Sequence, residues 1–356
     1  MQTKLIKIED PENMTSGDKN NIKMAGEVLK SGGLCAFPTE TVYGLGGDAL
    51  NPESSKKIYE AKGRPSDNPL IVHIAKVSDL EKITDRVPAA AYILAEKFWP
   101  GPLTIIVKNN GTVPKETTGG LDTVAVRMPS DKVAAALIEA AGGFVAAPSA
   151  NTSGRPSPTK AEHVMEDLNG RVDVVIDGGD VEIGLESTIV DLTDKRPVIL
   201  RPGYITFNMI KSVLPTITYD PAVIDPDSKE PPKAPGMKYR HYAPKAKLTI
   251  LQGDKNAVAR TMTELAKQKT DEGAKVALMV SFENRQLYEE KPSYIIRIVG
   301  EASNDGTIAH NLFGVLREFD DHGVDVIFSE SFDSGRLSDA ITNRLLKAAG
   351  FDVMNV

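Results

Sequence analysis

The sequence predicts an α/β protein that contains two sheets of different size. Helix and strand patterns alternate through the first two hundred residues, and several of those strands follow one another without a helix between them. Such an order favours a twisted mixed sheet with helices packed on it. After residue 245 the alternation is stricter, which is typical of a smaller, Rossmann-like parallel sheet.

The elements of the first part follow from local signals. Apolar residues recur at helical spacing over 22–30, and the glycines that follow end this helix. Asn51 before Pro52 predicts an N-cap with proline at the first helical position, and a helix that continues to Lys62. Short β-branched runs predict strands over 70–74, 103–107, 124–126, 172–176 and 198–200. Further helices are predicted over 88–98, 132–141 and 159–168.

A proline-rich connector separates the two parts. Between Leu214 and Pro244 seven prolines interrupt any regular pattern, which predicts a linker. The predicted division is a first domain over 1–216, a linker or lid over 217–245 and a C-terminal domain over 246–356. In the last part, strands are predicted over 248–251, 276–280, 294–298 and 324–328, and helices over 257–269, 308–319 and 338–349. This part has no G-x-G-x-x-G fingerprint, so it is not predicted to bind a nucleotide.

Composition restricts the classes of function. The 356 residues include 42 Lys plus Arg and 49 Asp plus Glu, for a net charge of −7, which argues against a protein that binds polyanions nonspecifically. The single cysteine, Cys35, excludes an internal disulfide and fits a reducing compartment; its apolar neighbours predict a buried strand residue. Neither a signal peptide nor a membrane-spanning stretch is predicted, so we expect a cytoplasmic protein.

Four segments place polar side chains on loops beside short apolar runs, where a fold does not require them. Hydroxyls, cations, an amide and an imidazole spaced in this way favour a site for a small anionic ligand. The segments are Phe37-Pro-Thr-Glu-Thr-Val-Tyr-Gly-Leu45, Lys62-Gly-Arg-Pro-Ser-Asp-Asn-Pro-Leu-Ile-Val-His73, Pro148-Ser-Ala-Asn-Thr-Ser-Gly154 and Arg201-Pro-Gly203.

Some of these residues also have a purely structural interpretation. Lys62 and Arg64 stand where cations complement a helix dipole, and His73 could be a satisfied strand histidine. Several more arginines at predicted strand ends and loops favour an anion pocket instead. Arg127 ends a predicted strand, where its planar guanidinium can bind an amino-acid carboxylate through two parallel hydrogen bonds. Walker A, zinc-site and G-x-S-x-G patterns are all absent from the sequence.

Together the four segments resemble the YrdC-like threonylcarbamoyl-AMP synthase family in its long, two-domain form, over about residues 22–244. The resemblance implies a YrdC-like first domain and the synthesis of threonylcarbamoyl-AMP from L-threonine, bicarbonate or CO2, and ATP. It implies a catalytic set of Lys62, Arg64, Ser149 and Asn151. ATP-binding positions would be Lys62, Ser66, Thr123, Ser149, Ser157, Arg201 and Arg240, and threonine-binding positions would be Thr39, His73, Arg127, Ala147 and Ser187.

The resemblance also implies the surroundings of the reaction. Mg²⁺ would accompany ATP, with no protein ligand predicted, and the product would pass to a tRNA threonylcarbamoyl transferase complex. The motif Ala234–Pro244 would fold over the cleft as a lid, with Arg240 on the nucleotide phosphates. Two alternatives stay open: a module that binds double-stranded RNA or tRNA directly, and an enzyme that forms carbamoyl-adenylate from carbamoyl phosphate.

Overall fold

Short capping motifs fix the ends of the first long helices. The computed structural model describes residues 2–224 and 241–356. The first helix begins six residues before the predicted start, because Thr15 and Asp18 form a reciprocal capping box ahead of it. Asn51 caps the second helix, which ends at Lys62 before Gly63 in the left-handed conformation (φ 62°), as predicted.

Eleven strands of the described residues form one mixed sheet, which confirms the predicted class. In chain order they are β1 Lys4–Lys7, β2 Cys35–Phe37, β3 Gly44–Asp48, β4 Ile71–Ile74, β5 Leu103–Lys108, β6 Thr123–Arg127, β7 Phe144–Ala146, β8 Val174–Asp177, β9 Thr188–Asp191, β10 Val198–Arg201 and β11 Thr218–Tyr219. Their order across the sheet is β1-β8-β2-β3-β7-β4-β6-β5-β9-β10-β11.

Helices cover both faces of this sheet. They are α1 Ser16–Lys30, α2 Pro52–Lys62, α3 Leu80–Ile83, α4 Ala89–Phe98, α5 Lys115–Thr118, α6 Lys132–Ala140, α7 Ala161–Leu168, α8 Phe207–Val213 and α9 Pro221–Ile224. Strand β2 shows the two faces: Cys35 and Phe37 pack with α1 and α6, whereas Ala36 packs into the larger cluster on the other side. Cys35 is fully buried in a strand, as predicted, and burial raises the pKa of its thiol.

Strand β3 was not predicted, because its Gly-Leu-Gly-Gly-Asp sequence has low strand propensity. The packing around it requires glycine. A Cβ on Gly46 would lie 2.9 Å from the ring of Phe37, and one on Gly47 would lie 3.0 Å from Ile58. Close packing against neighbouring side chains therefore outweighs propensity here.

The prediction of an irregular linker from Leu214 onward was wrong at its beginning. Thr218 and Tyr219 pair in parallel with β10, the Tyr219 ring stacks on Phe207 at 5.1 Å, and α9 starts at Pro221. Proline at a helix start costs little, since no partner is needed for its missing N–H. The predicted lid motif up to Arg240 lies outside the described residues, whereas His241 to Pro244 belong to the second unit.

A parallel sheet forms the second part, as predicted. Its elements are β12 Lys247–Gln252, α10 Lys255–Asp271, β13 Val276–Ser281, β14 Tyr294–Gly300, α11 Asp305–Asp321, β15 Val326–Glu330, α12 Ser338–Ala349 and β16 Val353–Asn355. The strand order is β14-β13-β15-β12-β16, and every neighbouring pair is parallel. Across both described ranges, no helix combines the length and the hydropathy needed to cross a membrane.

Contacts divide the chain into two units: Met1–Ser153, Pro158–Glu182 and Glu186–Lys238 form the first, and Gly154–Ser157, Ile183–Leu185 and Tyr239–Val356 form the second. Two short segments from early in the chain therefore belong to the later unit. The fully buried Arg317 of α11 holds one of them, donating from Nε and Nη2 to the carbonyl of Pro156 at 3.1 and 2.7 Å. The amide of Ala243 donates to Gly154 O at 2.9 Å, so backbone and side chain both fix this segment.

Candidate active site

Strand register brings several predicted site residues side by side on the large sheet. His73 on β4 pairs with Arg127 on the parallel strand β6, and Thr104 on β5 pairs with Arg127 from the other side. The strands β9 and β10, which follow Ser187 and end at Arg201, come next in the sheet. These residues are separated by up to 128 positions in the sequence, and strand pairing brings them into one sheet.

Lys62 is almost fully buried at the end of α2, with 1% of its surface exposed. Its ammonium group donates to the carbonyl oxygens of Ser149 and Asn151, each at 2.5 Å, and lies 3.4 Å from Asn151 Oδ1. Ser149 Oγ in turn donates to Asn151 Oδ1 at 2.5 Å. The predicted catalytic residues Lys62, Ser149 and Asn151 therefore form one hydrogen-bonded cluster, in which a positive charge is held in place by backbone acceptors.

The loop that carries Ser149 is itself fixed against β3. The amide of Leu45 donates to Pro148 O at 2.8 Å, and the amide of Ala150 donates to Tyr43 O at 2.8 Å. Tyr43 is fully buried, and its hydroxyl donates to Gly179 O at 2.7 Å. The Pro-Thr-Glu-Thr-Val-Tyr and Pro-Ser-Ala-Asn segments thus form one rigid unit around the lysine.

Arg127 lies buried among the polar side chains of the Pro-Thr-Glu-Thr loop. Nη1 donates to Thr41 Oγ1 at 2.8 Å, and Nη2 lies 2.8 Å from Glu40 Oε1. Thr39 Oγ1 shares a hydrogen bond with Thr41 Oγ1 at 2.8 Å and donates to Val42 O at 2.6 Å. The threonine-binding positions Thr39 and Arg127 are therefore linked through Thr41.

His73 is neutral at physiological pH. Burial, and then the charge of Arg127, lower its pKa to about 3. Nδ1 lies 3.2 Å from Ile71 O, and the ring also interacts with the backbone of Val145. The amide of Ala147 donates to Ile71 O at 2.9 Å, which places Ala147 beside His73.

Ser187 and Arg201 are bonded directly to each other. Arg201 donates from Nε to Ser187 O at 3.0 Å and from Nη2 to Ser187 Oγ at 3.2 Å. Thr104 Oγ1 shares a hydrogen bond with Ser187 Oγ at 2.7 Å. A position predicted for threonine and one predicted for ATP are therefore in contact.

The other predicted residues have looser surroundings. Arg64 is half-buried and reaches its own loop, with Nε 3.4 Å from Asn68 O and Nη2 3.3 Å from Pro69 O. Ser66 is exposed, and Thr123 is half-buried at the start of β6. Ser157 is buried within the second unit. Arg240 lies outside the described residues.

Two carboxylates interact with Arg127 although sequence patterns predict no role for them. Glu40 was visible inside the first polar segment, and Asp131 could have been found from its position as the N-cap of α6, where it accepts from the amide of Ala134 at 2.7 Å. Burial raises the pKa of Asp131 to about 6, and the charge of Glu40 adds to that shift, whereas the Ala134 amide and Arg127 oppose it.

Comparisons with known proteins show the family to which the chain is similar. A family model described as "Telomere recombination" (Sua5_yciO_yrdC) matches residues 27–203, and one described as "Threonylcarbamoyl-AMP synthase, C-terminal domain" matches residues 205–350. The chain is 46% identical to the threonylcarbamoyl-AMP synthase of Pyrococcus abyssi, over 94% of this chain and 96% of that one. It is 44% identical to the Bacillus subtilis synthase, over 98% and 99%.

A solved structure supports the same relationship. The crystal structure of P. abyssi Sua5 complexed with L-threonine matches with a TM-score of 0.92 at 44% identity, and the match covers 99% of this chain and 100% of that one. The chain therefore belongs to the Sua5/YrdC family of threonylcarbamoyl-AMP synthases, in its two-domain form.

The raised pKa of Asp131 makes a prediction about stability. Because the folded state binds this proton more tightly than the unfolded state, its stabilising contribution is complete below about pH 4 and is lost as pH rises through about 6. Asp131→Asn keeps an N-cap acceptor but cannot titrate, so the variant does not lose this stabilising contribution as pH rises. Its free energy of unfolding relative to the wild-type protein should therefore increase by about 1 kcal/mol between pH 5 and pH 8, measured by urea unfolding.

The control for this measurement is Glu96→Gln, at an exposed position on α4. Its difference from the wild-type protein should be the same at both pH values. A pH-independent difference for Asp131→Asn as well would show that this carboxylate does not titrate in the expected range.

Proposed function

We infer that this chain forms threonylcarbamoyl-AMP from L-threonine, bicarbonate or CO2, and ATP, with release of pyrophosphate. The observation that carries this inference is the assembly of buried Arg127, neutral His73 and the Lys62 cluster within one unit, at positions that match the family motifs. Relatives at 44–46% identity over nearly the whole chain are threonylcarbamoyl-AMP synthases.

The reaction requires alignment and charge neutralisation rather than a protein nucleophile. The threonine ammonium group first releases one proton to water, and the free amine attacks CO2 and loses a second proton to give a carbamate. A carbamate oxygen then attacks the α-phosphorus of ATP, and the bond from that phosphorus to the bridging oxygen breaks as pyrophosphate leaves in line. Arg127 would bind the threonine carboxylate, and uncharged His73 and Thr39 would line the side-chain pocket. Lys62 would stabilise negative charge on the phosphates, because its ammonium group is already fixed beside Ser149 and Asn151.

Mg²⁺ is proposed to enter the site on ATP rather than through a cage of protein ligands. No cluster of three or more His, Cys, Asp or Glu side chains suited to a metal is present among the described residues. A small hard cation that keeps several waters and binds phosphate oxygens needs no such cluster. When bound, it would neutralise phosphate charge, and the protein's own part is the lysine and arginine scaffold.

The proposed role in the cell is to supply tRNA threonylcarbamoyladenosine modification. The adenylate is a mixed anhydride that water hydrolyses, so it has to be transferred promptly to a tRNA threonylcarbamoyl transferase complex. We place this handover in the cytoplasm, where such tRNA-modifying machinery and ATP are available.

Pyrophosphate release should require threonine and bicarbonate together. Purified protein with ATP and Mg²⁺ should release pyrophosphate only when both co-substrates are present, as followed by a coupled pyrophosphate assay. Equal turnover with carbamoyl phosphate in their place, or with neither, would contradict the synthase function.

Lys62→Ala and Arg64→Ala should each reduce the rate of adenylate formation by an amount on the order of 2–4 kcal/mol in activation free energy, since each removes a positive charge that is proposed to stabilise the phosphates. Lys57→Ala is a control at an exposed position of the same helix. It also deletes a lysine bound to a backbone carbonyl, Gly32 O at 2.6 Å, but outside the proposed site. Single-turnover assays should show loss in the first two variants only; a loss of the same size in Lys57→Ala would indicate a general effect on α2.

Arg127→Lys should weaken threonine more than ATP. Lysine keeps the charge but not the planar fork, and it cannot bond Thr41 and a substrate carboxylate in the same geometry. Calorimetric titration should show a roughly 10- to 100-fold increase in the Kd of threonine and little change for ATP. Equal weakening of both ligands would place Arg127 outside the threonine pocket.

A further inference from the structure

The contact between Glu40 and Arg127 is an unusual ion pair for a buried site. Glu40 Oε1 lies 2.8 Å from Arg127 Nη2, and both side chains are about 95% buried, with 4% and 5% of their surface exposed. Removing both charges from water is costly unless the remaining hydrogen-bonding groups find partners. The surroundings of this pair therefore show what the site is built to accept.

Those partners are incomplete on both sides of the pair. Neither Glu40 Oε1 nor Oε2 accepts a hydrogen bond from any described residue, and Arg127 Nε and Nη2 donate none there; the 2.8 Å contact between Glu40 Oε1 and Arg127 Nη2 is an ion pair without a hydrogen bond. Buried native groups are normally satisfied, so unused capacity in a candidate binding site points to a ligand that completes it. Here the unused capacity has both signs: acceptors on Glu40 and donors on Arg127.

A zwitterionic α-amino acid has the complementary pattern. Its ammonium nitrogen and carboxylate carbon lie about 2.5 Å apart, given bonds of about 1.5 Å and an angle of about 111°. The ammonium nitrogen and a carboxylate oxygen of one ligand are therefore close enough together to contact Glu40 Oε1 and Arg127 Nη2, which lie 2.8 Å apart. One head group can therefore place its carboxylate on Arg127 and its ammonium on Glu40 and form a compact array of alternating charges.

We propose that Glu40 binds the α-ammonium group of the amino-acid substrate, so that the Glu40–Arg127 pair recognises the zwitterionic head group as a whole. The proposal rests on the proposed function and assigns a further positioning residue to it. It also gives Glu40 a role in selectivity. An anion without an ammonium group has to compete with the Glu40 carboxylate for Arg127, whereas a zwitterion satisfies both.

The neighbouring groups leave this role to Glu40. His73 is uncharged and bonded through Nδ1 to Ile71 O, so it does not offer a carboxylate-like partner. Asp131 accepts a hydrogen bond from the amide of Ala134 as a helix cap, whereas neither oxygen of Glu40 has a hydrogen-bond partner among the described residues. Thr41 carries no charge, and its hydroxyl is hydrogen-bonded to Arg127 and Thr39.

Two truncated analogues of threonine test the proposal by calorimetry without ATP. 3-Hydroxybutyrate lacks the ammonium group, and 1-amino-2-propanol lacks the carboxylate. The wild-type protein should bind threonine at least 10-fold more tightly than 3-hydroxybutyrate. Glu40→Gln, which is close to isosteric, should weaken threonine and 1-amino-2-propanol by about 10- to 100-fold. It should leave 3-hydroxybutyrate unchanged or tighter.

The outcomes separate recognition from a structural role. Equal weakening of threonine and 3-hydroxybutyrate by Glu40→Gln would mean that Glu40 only supports Arg127, and the proposal would be overturned. Glu53→Gln, an exposed residue of α2, serves as a control that should leave both affinities unchanged. Should Glu40→Gln fail to fold, the wild-type comparison still decides: equal affinity for threonine and 3-hydroxybutyrate overturns the proposal.

The same titrations show whether a failure concerns only the role of Glu40 or the proposed synthase function on which that role depends. Wild-type protein that binds no threonine, and releases no pyrophosphate with it, contradicts the proposed function itself. Wild-type protein that binds threonine, together with a Glu40→Gln variant of unchanged threonine-to-hydroxybutyrate ratio, contradicts only the role of Glu40.

Discussion

The need to satisfy three buried cations shapes the first unit of this protein. Lys62, Arg127 and Arg201 are each at most 5% exposed, and a buried charge is tolerated only with nearby acceptors. The acceptors differ from one cation to the next. Lys62 donates to backbone carbonyls, and Arg201 donates to the backbone and hydroxyl of Ser187. Arg127 donates to Thr41 and forms an ion pair with Glu40. Those acceptors come from loops at strand ends, so the site depends on the register of the whole sheet.

Local sequence signals predicted much of this arrangement. The Asn51-Pro52 start and the Lys62 end of α2 depend on contacts within a few residues. The polar segments could be recognised because their polar residues interrupt apolar runs. The family motifs then selected the correct class of enzyme. The prediction of an irregular connector was wrong at Thr218 and Tyr219. There, pairing with β10 and stacking on Phe207 outweigh the tendency of the neighbouring prolines to prevent regular structure.

Other features could not be predicted locally. The neighbourhood of His73 and Arg127 comes from parallel pairing of strands that are 54 residues apart. Strand β3 forms by pairing with β2 and β7, where close neighbours leave little room for a Cβ at Gly46 and Gly47. The same holds for Glu40. Its place in a polar loop was evident, but its contact with Arg127 depends on where β6 lies in the sheet. Sequence patterns identify which side chains are available, whereas register decides which of them meet.

The segment Gly154–Ser157 has a consequence for the order in which the chain can fold. It belongs to the second unit, where the buried Arg317 binds Pro156 O across a sequence separation of 161 residues. During synthesis, which proceeds from the N-terminus, this segment leaves the ribosome long before α11 exists to hold it. A nascent chain therefore carries Pro156 without its guanidinium partner until nearly all of the polypeptide has been made. Completion of the loop that follows Asn151 is thus a late event, coupled to the last part of the chain to be translated.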